Sequence, residues 1–221
     1  MDGESSRLPG GIAFPGNITA SKGGNHMIRG LKTSCRPIES CDLTFIHELN
    51  ADPVVRANVV GWDFPSSLTR QAKWFDQQVP SFTHRWIVED LEGNALGLTG
   101  LWDVDWHNRN AFTALKLGGD VPQRGRGLGT DAIMTVMAFA FYDVGLERLY
   151  GSILEDNVAS LKAYTQRCGW QIEGTSRNHV WRNGGFVNLL QVGVLRADFD
   201  QLPNSQEYRE IVLTARTDTG A

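Results

Sequence analysis

The stretch Gln123-Arg124-Gly125-Arg126-Gly127-Leu128-Gly129-Thr130 constrains this chain more than any other. It stands between the strand-like run Ala111–Gly118 and a longer apolar run, Leu128 to Val144, with helical periodicity. Gly125, Gly127 and Gly129 let the backbone turn tightly and approach a ligand with no Cβ in the way. The helix that follows brings unpaired N–H groups and a positive dipole end. Strand, loop and helix together therefore form a cradle for phosphate. Arg124 and Arg126 add fixed positive charge. Two common phosphate loops are excluded. The Gly-Lys-Ser/Thr of a Walker loop is absent, and the glycines run G-x-G-x-G rather than G-x-G-x-x-G. Four predicted strands also precede the loop, where a dinucleotide fold would place it after the first. A plain surface turn stays open as the other reading of these eight residues.

The rest of the chain alternates in type. A strand is predicted around Leu31–Arg36, then a helix capped by Asp42 with Leu43, Ile46 and Leu49 on one face. Pro53 suits the first turn of a second helix, and Ser66-Ser67 the cap of a third carrying Trp74 and Phe75. Arg85–Asp90 and Ala95–Val104 flank Leu91-Glu92-Gly93-Asn94, a hairpin signal. Beyond the loop, the helix to Val144 carries Ile133, Val136, Ala140 and Phe141 on one stripe. Arg148–Leu154 reads as a strand and Val158–Cys168 as a helix closed by Gly169. Gln171–Trp181 and Phe186–Leu195 form a second hairpin through Arg182-Asn183-Gly184-Gly185. The order predicts an α/β fold: an antiparallel sheet first, then β-loop-α-β-α-β-β. Residues 1–26, rich in Gly, Ser and Pro, read as a disordered leader or tag, residues 27–198 as the folded domain, and 199–221 as an irregular tail with a short helix near Gln206–Leu213.

Composition removes several classes of function. With 21 Lys+Arg against 25 Asp+Glu, a net charge of −4 does not suit a nucleic-acid binder. The longest apolar run, around Ala132–Tyr142, falls short of the ~18 residues of a membrane span and reads as a core helix. Cys35, Cys41 and Cys168 form no C-x-x-C pair, which argues against a disulfide framework or a zinc site. These features point to a cytoplasmic protein without a metal.

Arg124-Gly125-Arg126-Gly127-Leu128-Gly129 resembles the R-x-x-G-x-G signature of the GNAT N-acetyltransferases. The likeness extends to Glu155-Asp156-Asn157-Val158-Ala159-Ser160, to Tyr164 and to Cys168-Gly169-Trp170. Leu31–Ile38 with Asp42, Trp74-Phe75, Gly97–Leu101 and Asp105-Trp106-His107-Asn108-Arg109 resemble the ribosomal-protein and polyamine acetyltransferase branch. The resemblance implies a splayed mixed sheet of about seven strands flanked by helices, with acetyl-CoA as donor. It implies pantetheine against Leu117, Gly118 and Gly119, and pyrophosphate on the loop from Arg124 through Gly125, Arg126, Gly127, Leu128 and Gly129 to Thr130. It gives Asn157 the pantetheine arm or acetyl carbonyl, and Tyr164 the protonation of the departing thiolate. A phenol of pKa near ~10 is suited to that last task. Read without the resemblance, Asn157 is a good helix N-cap and Tyr164 a core aromatic sharing a face with Leu161 and Cys168.

No base is assigned. The strand before the loop, Ala111-Phe112-Thr113-Ala114-Leu115-Lys116, has no carboxylate, and the last hairpin reads Phe186-Val187-Asn188 where the family it resembles often carries an acid. Asp103, Asp105, His107 and Glu89 are the remaining candidates; Trp62, Phe64, Trp102, Trp106 and Trp181 could wall an acceptor pocket. The expected activity is acetyl transfer to the primary amine of a small molecule, by direct attack in a ternary complex. A protein N-terminal amine is the alternative acceptor, and a non-catalytic acyl-CoA-binding domain the alternative class. The resemblance allows a homodimer.

Overall fold

The strands are β1 (Ile28–Arg29), β2 (Thr33–Pro37), β3 (His84–Asp90), β4 (Ala95–Asp105), β5 (Asn110–Leu117), β6 (Arg148–Leu154), β7 (Gln171–Arg182) and β8 (Gly185–Leu195). They come from a computed structural model that describes residues 27–60, 66–77, 82–118 and 125–217. The leader, residues 1–26, lies outside the described residues. The eight strands pair in the order β1-β2-β3-β4-β5-β6-β8-β7, one more than expected because the two-residue β1 adds an edge. Every neighbour is antiparallel except β5 and β6. That parallel pair is joined at three positions only, Asn110–Arg148, Ala111–Leu149 and Phe112–Tyr150. Beyond them the strands part, and the sheet is mixed and splayed. Gly151 stands at the fork, where a Cβ would lie 2.9 Å from the Thr113 carbonyl oxygen.

Short-range chemistry sets the turns. Asp90 accepts from the Glu92 and Asn94 amides and from Asn94 Nδ2, closing the β3–β4 hairpin. Asn183 and Gly184 both have positive φ (51° and 80°), the two-residue turn that matches strand twist between β7 and β8.

One face of the sheet carries α1 (Leu43–Ala51), α2 (Pro53–Asn58) and α3 (Leu68–Asp76). Ile46, Leu49 and Val55 pack there on Ile87 and Leu98. Pro53 opens α2, with Asp52 accepting from the Val54 amide at 2.7 Å, and Ser67 caps α3 through the Arg70 amide. Asp42 departs from its expected cap role. Its carboxylate instead takes Arg36 at 2.7 and 2.8 Å and the Glu39 amide at 2.8 Å, and Arg36 holds it below the usual carboxylate range.

The other face carries α4 (Leu128–Ala138), continued by a π-helical turn, Phe139–Val144. From Ala132 to Ala138 every α4 residue is buried, because sheet and C-terminal helices cover it on both sides. A second short helix, α5 (Val158–Leu161), also runs on through a π-helical turn, Lys162–Arg167, and the chain reverses at Gly169 with φ 72°.

Where the sequence suggests an irregular tail with a short helix near Gln206–Leu213, the structure has α6 (Arg196–Asp200) and a longer α7 (Ser205–Thr217) over that stretch. Phe199, Tyr208 and Val212 enter the same core as α4. Asp131, in the first turn of α4 and 2% exposed, is the polar centre of this packing. Its Oδ2 accepts from the Lys32 and Thr33 amides and the Thr33 hydroxyl, and its Oδ1 from the Leu31 amide and, at 2.6 Å, the Tyr208 hydroxyl. One carboxylate so ties β2, α4 and α7. Tyr208→Phe should lower unfolding free energy by about 1.5–3 kcal/mol, the usual worth of a hydrogen bond to a charged group. Urea denaturation measures this, and an unchanged midpoint would show the bond to be energetically idle.

Candidate active site

Because β5 and β6 part after Phe112 and Tyr150, the sheet opens into a cleft between the two helical faces. Two cavities fill it, of about 430 and 390 Å³. They share Asn58, Val59, Leu115, Lys116, Asn157, Ser160 and Tyr164. The smaller runs from this junction to the start of α4 and is lined by Leu117, Gly118, Gly125, Gly127, Leu128, Gly129 and Thr130. The larger opens over the β3–β5 surface towards Trp74, Arg85, Trp102 and Phe112.

The glycines at the start of α4 differ in what they do. Gly127 is the N-cap at φ 85°, and Gly125 sits at φ 89°. An L-residue is disfavoured at both by about 1–2 kcal/mol. As a glycine N-cap, Gly127 has no side chain to satisfy the first-turn amides of Leu128, Gly129 and Thr130, which line the smaller cavity. Gly129 instead allows close packing, since a Cβ there would stand 3.3 Å from Leu117 Cδ1. This end fits a phosphate ligand. Arg126 is exposed and does not line the cavity, while Arg124 and Gly119 lie outside the described residues. A cation that the motif does not include stands nearby: Lys32 Nζ donates to the Arg126 carbonyl at 3.1 Å and is the atom closest to a Gly127 Cβ, at 3.6 Å. The register of β2 against Asp131 delivers it there.

Asn157 occupies the junction with both ends of its amide engaged. Its Oδ1 caps α5 through the Ser160 amide at 3.1 Å, and its Nδ2 donates to the Asn58 carbonyl at 3.2 Å. It therefore clamps the end of α2 to α5 across the cleft.

Tyr164 combines the two roles that the sequence set against each other. Its ring packs edge-on to Trp170 with centroids 5.0 Å apart and belongs to the main core. The residue also lines both cavities, with the Leu115 backbone hydrogen-bonded at its hydroxyl. Burial first, then the neighbouring Cys168, raises its pKa above the ordinary phenol value, so it stays protonated through the neutral range. Cys168 is buried, its thiol pushed up to about 12 by burial, and serves packing.

Of the candidate bases only Asp103 reaches the cleft, exposed at the rim of the larger cavity. It sits at φ 52° in a bulge of β4. Glu89 is bound to Arg36 at 2.5 Å, and Asp105 holds the Asn108 amide and side chain in the β4–β5 turn. His107 is exposed in that turn. Among the candidate wall aromatics, Trp102 lines the cavity, Trp106 and Trp181 are exposed, and Trp62 and Phe64 lie outside the described residues.

The group that sequence reasoning missed is Lys116. Strand alternation puts it on the face of Phe112 and Ala114, paired across to Leu98. Closure of α1–α3 over that face leaves it 8% exposed. Burial, with Arg85 close by, brings its pKa down to about 7. Among the described residues no group of side chains could hold a metal ion, and no helix is long and apolar enough to cross a membrane.

The acetyltransferase (GNAT) domain pattern matches residues 34–171. An uncharacterized prophage-derived N-acetyltransferase, YokL of Bacillus subtilis, is 23% identical over 171 residues, 77% of this chain and 94% of its own. The spermidine N(1)-acetyltransferase of Escherichia coli K12 is 22% identical over 74% of this chain and 86% of its own. The Vibrio cholerae spermidine N-acetyltransferase, solved with CoA and spermine, superposes with a TM-score of 0.68 at 22% identity, over 75% of this chain and 96% of that one. At that identity the superposition establishes the fold.

Three outcomes are expected from these contacts. Gly127→Val should abolish CoA binding in titration calorimetry while the protein stays folded, because a β-branched residue is disfavoured at φ 85°. Lys32→Ala should weaken CoA by about 3–10-fold at low ionic strength and less in salt, as a screened exposed charge does. Lys116 is charged when unfolded up to about pH 10 but folded only below about 7, so unfolding binds a proton between these values and stability rises with pH there. Lys116→Met should flatten that slope relative to wild type in denaturation series from pH 7 to 9.5.

Proposed function

Since the chain belongs to the GNAT acetyltransferase family, we propose that it moves the acetyl group of acetyl-CoA to the primary amine of a small molecule within a ternary complex. The observation that carries this reading is the meeting of the two cavities at Tyr164, one reaching the glycine-capped helix and the other the aromatic surface of β4 and β5. Acetyl-CoA supplies a thioester whose carbonyl carbon accepts the amine. The first-turn amides of Leu128, Gly129 and Thr130 hold its pyrophosphate, with Lys32 adding charge beside them. Leu115, Leu117 and Gly118 flank the channel in which the pantetheine arm lies, and Asn157 fixes its far wall. As the new C–N bond forms and the C–S bond breaks, the Tyr164 hydroxyl donates its proton to the departing sulfur, and the proton lost by the acylated nitrogen passes through solvent and restores the phenol. Burial holds that proton on the phenol to a pH above the ordinary tyrosine range. The spermidine acetyltransferases among the relatives support a small-molecule acceptor, as does a cavity of about 430 Å³.

Tyr164→Phe keeps the ring packed on Trp170 and removes only the hydroxyl. Turnover should fall by roughly 10²–10⁴ with little change in acetyl-CoA affinity. Because the wild-type phenol titrates above its ordinary value, the high-pH limb of kcat should lie beyond the usual tyrosine range and vanish in the variant. Wild-type kcat in Tyr164→Phe would remove the residue from the mechanism and leave it a core aromatic.

A further inference from the structure

Resting on the acetyl-transfer reading, we propose that Arg182 is a positioning residue that selects the acceptor. It pins the end of α2 across the cleft, and the span so formed admits a primary amine carried on an unbranched carbon.

Such a span has to be held from outside. α2 is six residues long, too short to keep its place by its own hydrogen bonds. The last carbonyls of a helix find no partner within it and carry the negative end of its dipole. Side chains from beyond β6 meet those of α2 one after another. The Arg182 guanidinium, half-buried at the tip of the β7–β8 hairpin, donates to the Ala57 carbonyl and, at 2.8 Å, to the Val59 carbonyl. Asn157 takes the Asn58 carbonyl between them. The planar fork of an arginine suits two acceptors at once.

Packing shows where the chain crosses. Val59 lies against the cluster of Ile46, Leu49, Val55, Ile87 and Leu98, on the β3–β4 side. Val60, the next residue, lies against Leu154, Val180 and Leu189, on the β6–β8 side. Two consecutive residues thus join separate hydrophobic clusters on either side of the fork between β5 and β6. The hairpin tip is built as a firm far anchor. Trp181 and Phe186 are cross-strand partners, packed edge-on with centroids 4.8 Å apart, and Asn183 and Gly184 make the tight turn between them.

The crossing residues stand where the two cavities join. Asn58 and Val59 line both, together with Leu115, Lys116 and Tyr164. The larger cavity beyond them is walled by Trp74, Trp102 and Phe112, with the Arg85 guanidinium stacked on the two tryptophans at 5.2 and 5.9 Å to the ring centroids. An amine held there reaches the thioester beside Tyr164 under the span. A CH2–NH2 group brings only hydrogens against Val59 and Leu115, whereas a branched carbon brings a methyl group or more. The α-amine of a peptide is branched in this way at every residue but glycine, so the span weighs against a protein N-terminal acceptor.

The test compares acceptors that differ in branching at the amine-bearing carbon, with acetyl-CoA as donor and kcat/KM read by thiol release: butylamine against 2-aminobutane, and benzylamine against 1-phenylethylamine. The unbranched member of each pair should be preferred by about 10- to 100-fold, the scale of one added methyl group in a close-fitting site. In Arg182→Ala the preference should shrink to within about 3-fold, and Arg182→Lys, which reaches one carbonyl at a time, should keep part of it. A loss of stability alone lowers both rates together and leaves their ratio unchanged, so the ratio, taken on protein shown to be folded by its melting curve, isolates positioning. Equal or faster turnover of the branched amines by the wild type would overturn the proposal and leave acetyl transfer standing. So would a preference that persists undiminished in Arg182→Ala. CoA binding with no turnover of any acceptor would overturn the acetyl-transfer reading, and this proposal with it.

Discussion

Parallel pairing of β5 with β6 ends at Phe112 and Tyr150, and both cavities exist because it ends there. Had the ladder continued, backbone would fill the gap and Tyr164 would face a closed sheet. The far side of β5 remains tied to β4, with the Thr113 hydroxyl on the Gly100 carbonyl at 2.7 Å and the Thr99 hydroxyl on the Ala114 carbonyl at 2.9 Å. One edge of β5 is therefore fixed while the other opens onto the cleft. Backbone amides and carbonyls on an opened edge need partners. A ligand with its own amides, such as the pantetheine arm, suits that edge.

Precision at the cleft comes from packing around it. Asp131 gathers five donors from β2, the turn before it and α7, and so fixes where α4 begins. The glycine N-cap then follows from the helix position, and Lys32 arrives beside it through the same contact. Asn157 performs a similar task on the opposite wall through Asn58. Tyr164 shows how a core residue can also reach the cleft. Trp170 orients the ring, and burial that would be plain packing elsewhere raises the pKa of the phenol.

Features carried by local rules could be read from the chain itself. The glycine loop, the hairpin turns at Leu91–Asn94 and Asn183-Gly184, the Ser67 cap and the Gly169 reversal depend on residues close in sequence. The place of Asn157 at the head of α5 is of the same kind. The splay left no local mark, since β5 and β6 differ little from strands that stay paired. Lys116 was hidden for another reason: alternation gives its face, but its desolvation depends on α1–α3, which close over that face from far away in sequence. Arg85 needed Trp74 and Trp102 beside it, and Lys32 needed Asp131, a contact spanning 99 positions. Asp42 misled because a carboxylate before a helix reads as a cap, while Arg36, six residues earlier on β2, competes for it more strongly. The tail helix α7 has a charged outer face, and only its contact with α4 shows why Tyr208 and Val212 are apolar.

On the proposed function, one ligand channel runs from the glycine-capped end of α4 to Tyr164 through the gap between β5 and β6. A crystal structure of the protein with CoA bound tests it directly. The pyrophosphate is expected on the Leu128, Gly129 and Thr130 amides, the pantetheine arm beside Leu115–Gly118, and the sulfur within hydrogen-bonding reach of the Tyr164 hydroxyl. CoA bound outside the gap, or with its sulfur turned away from Tyr164 towards solvent, would contradict it.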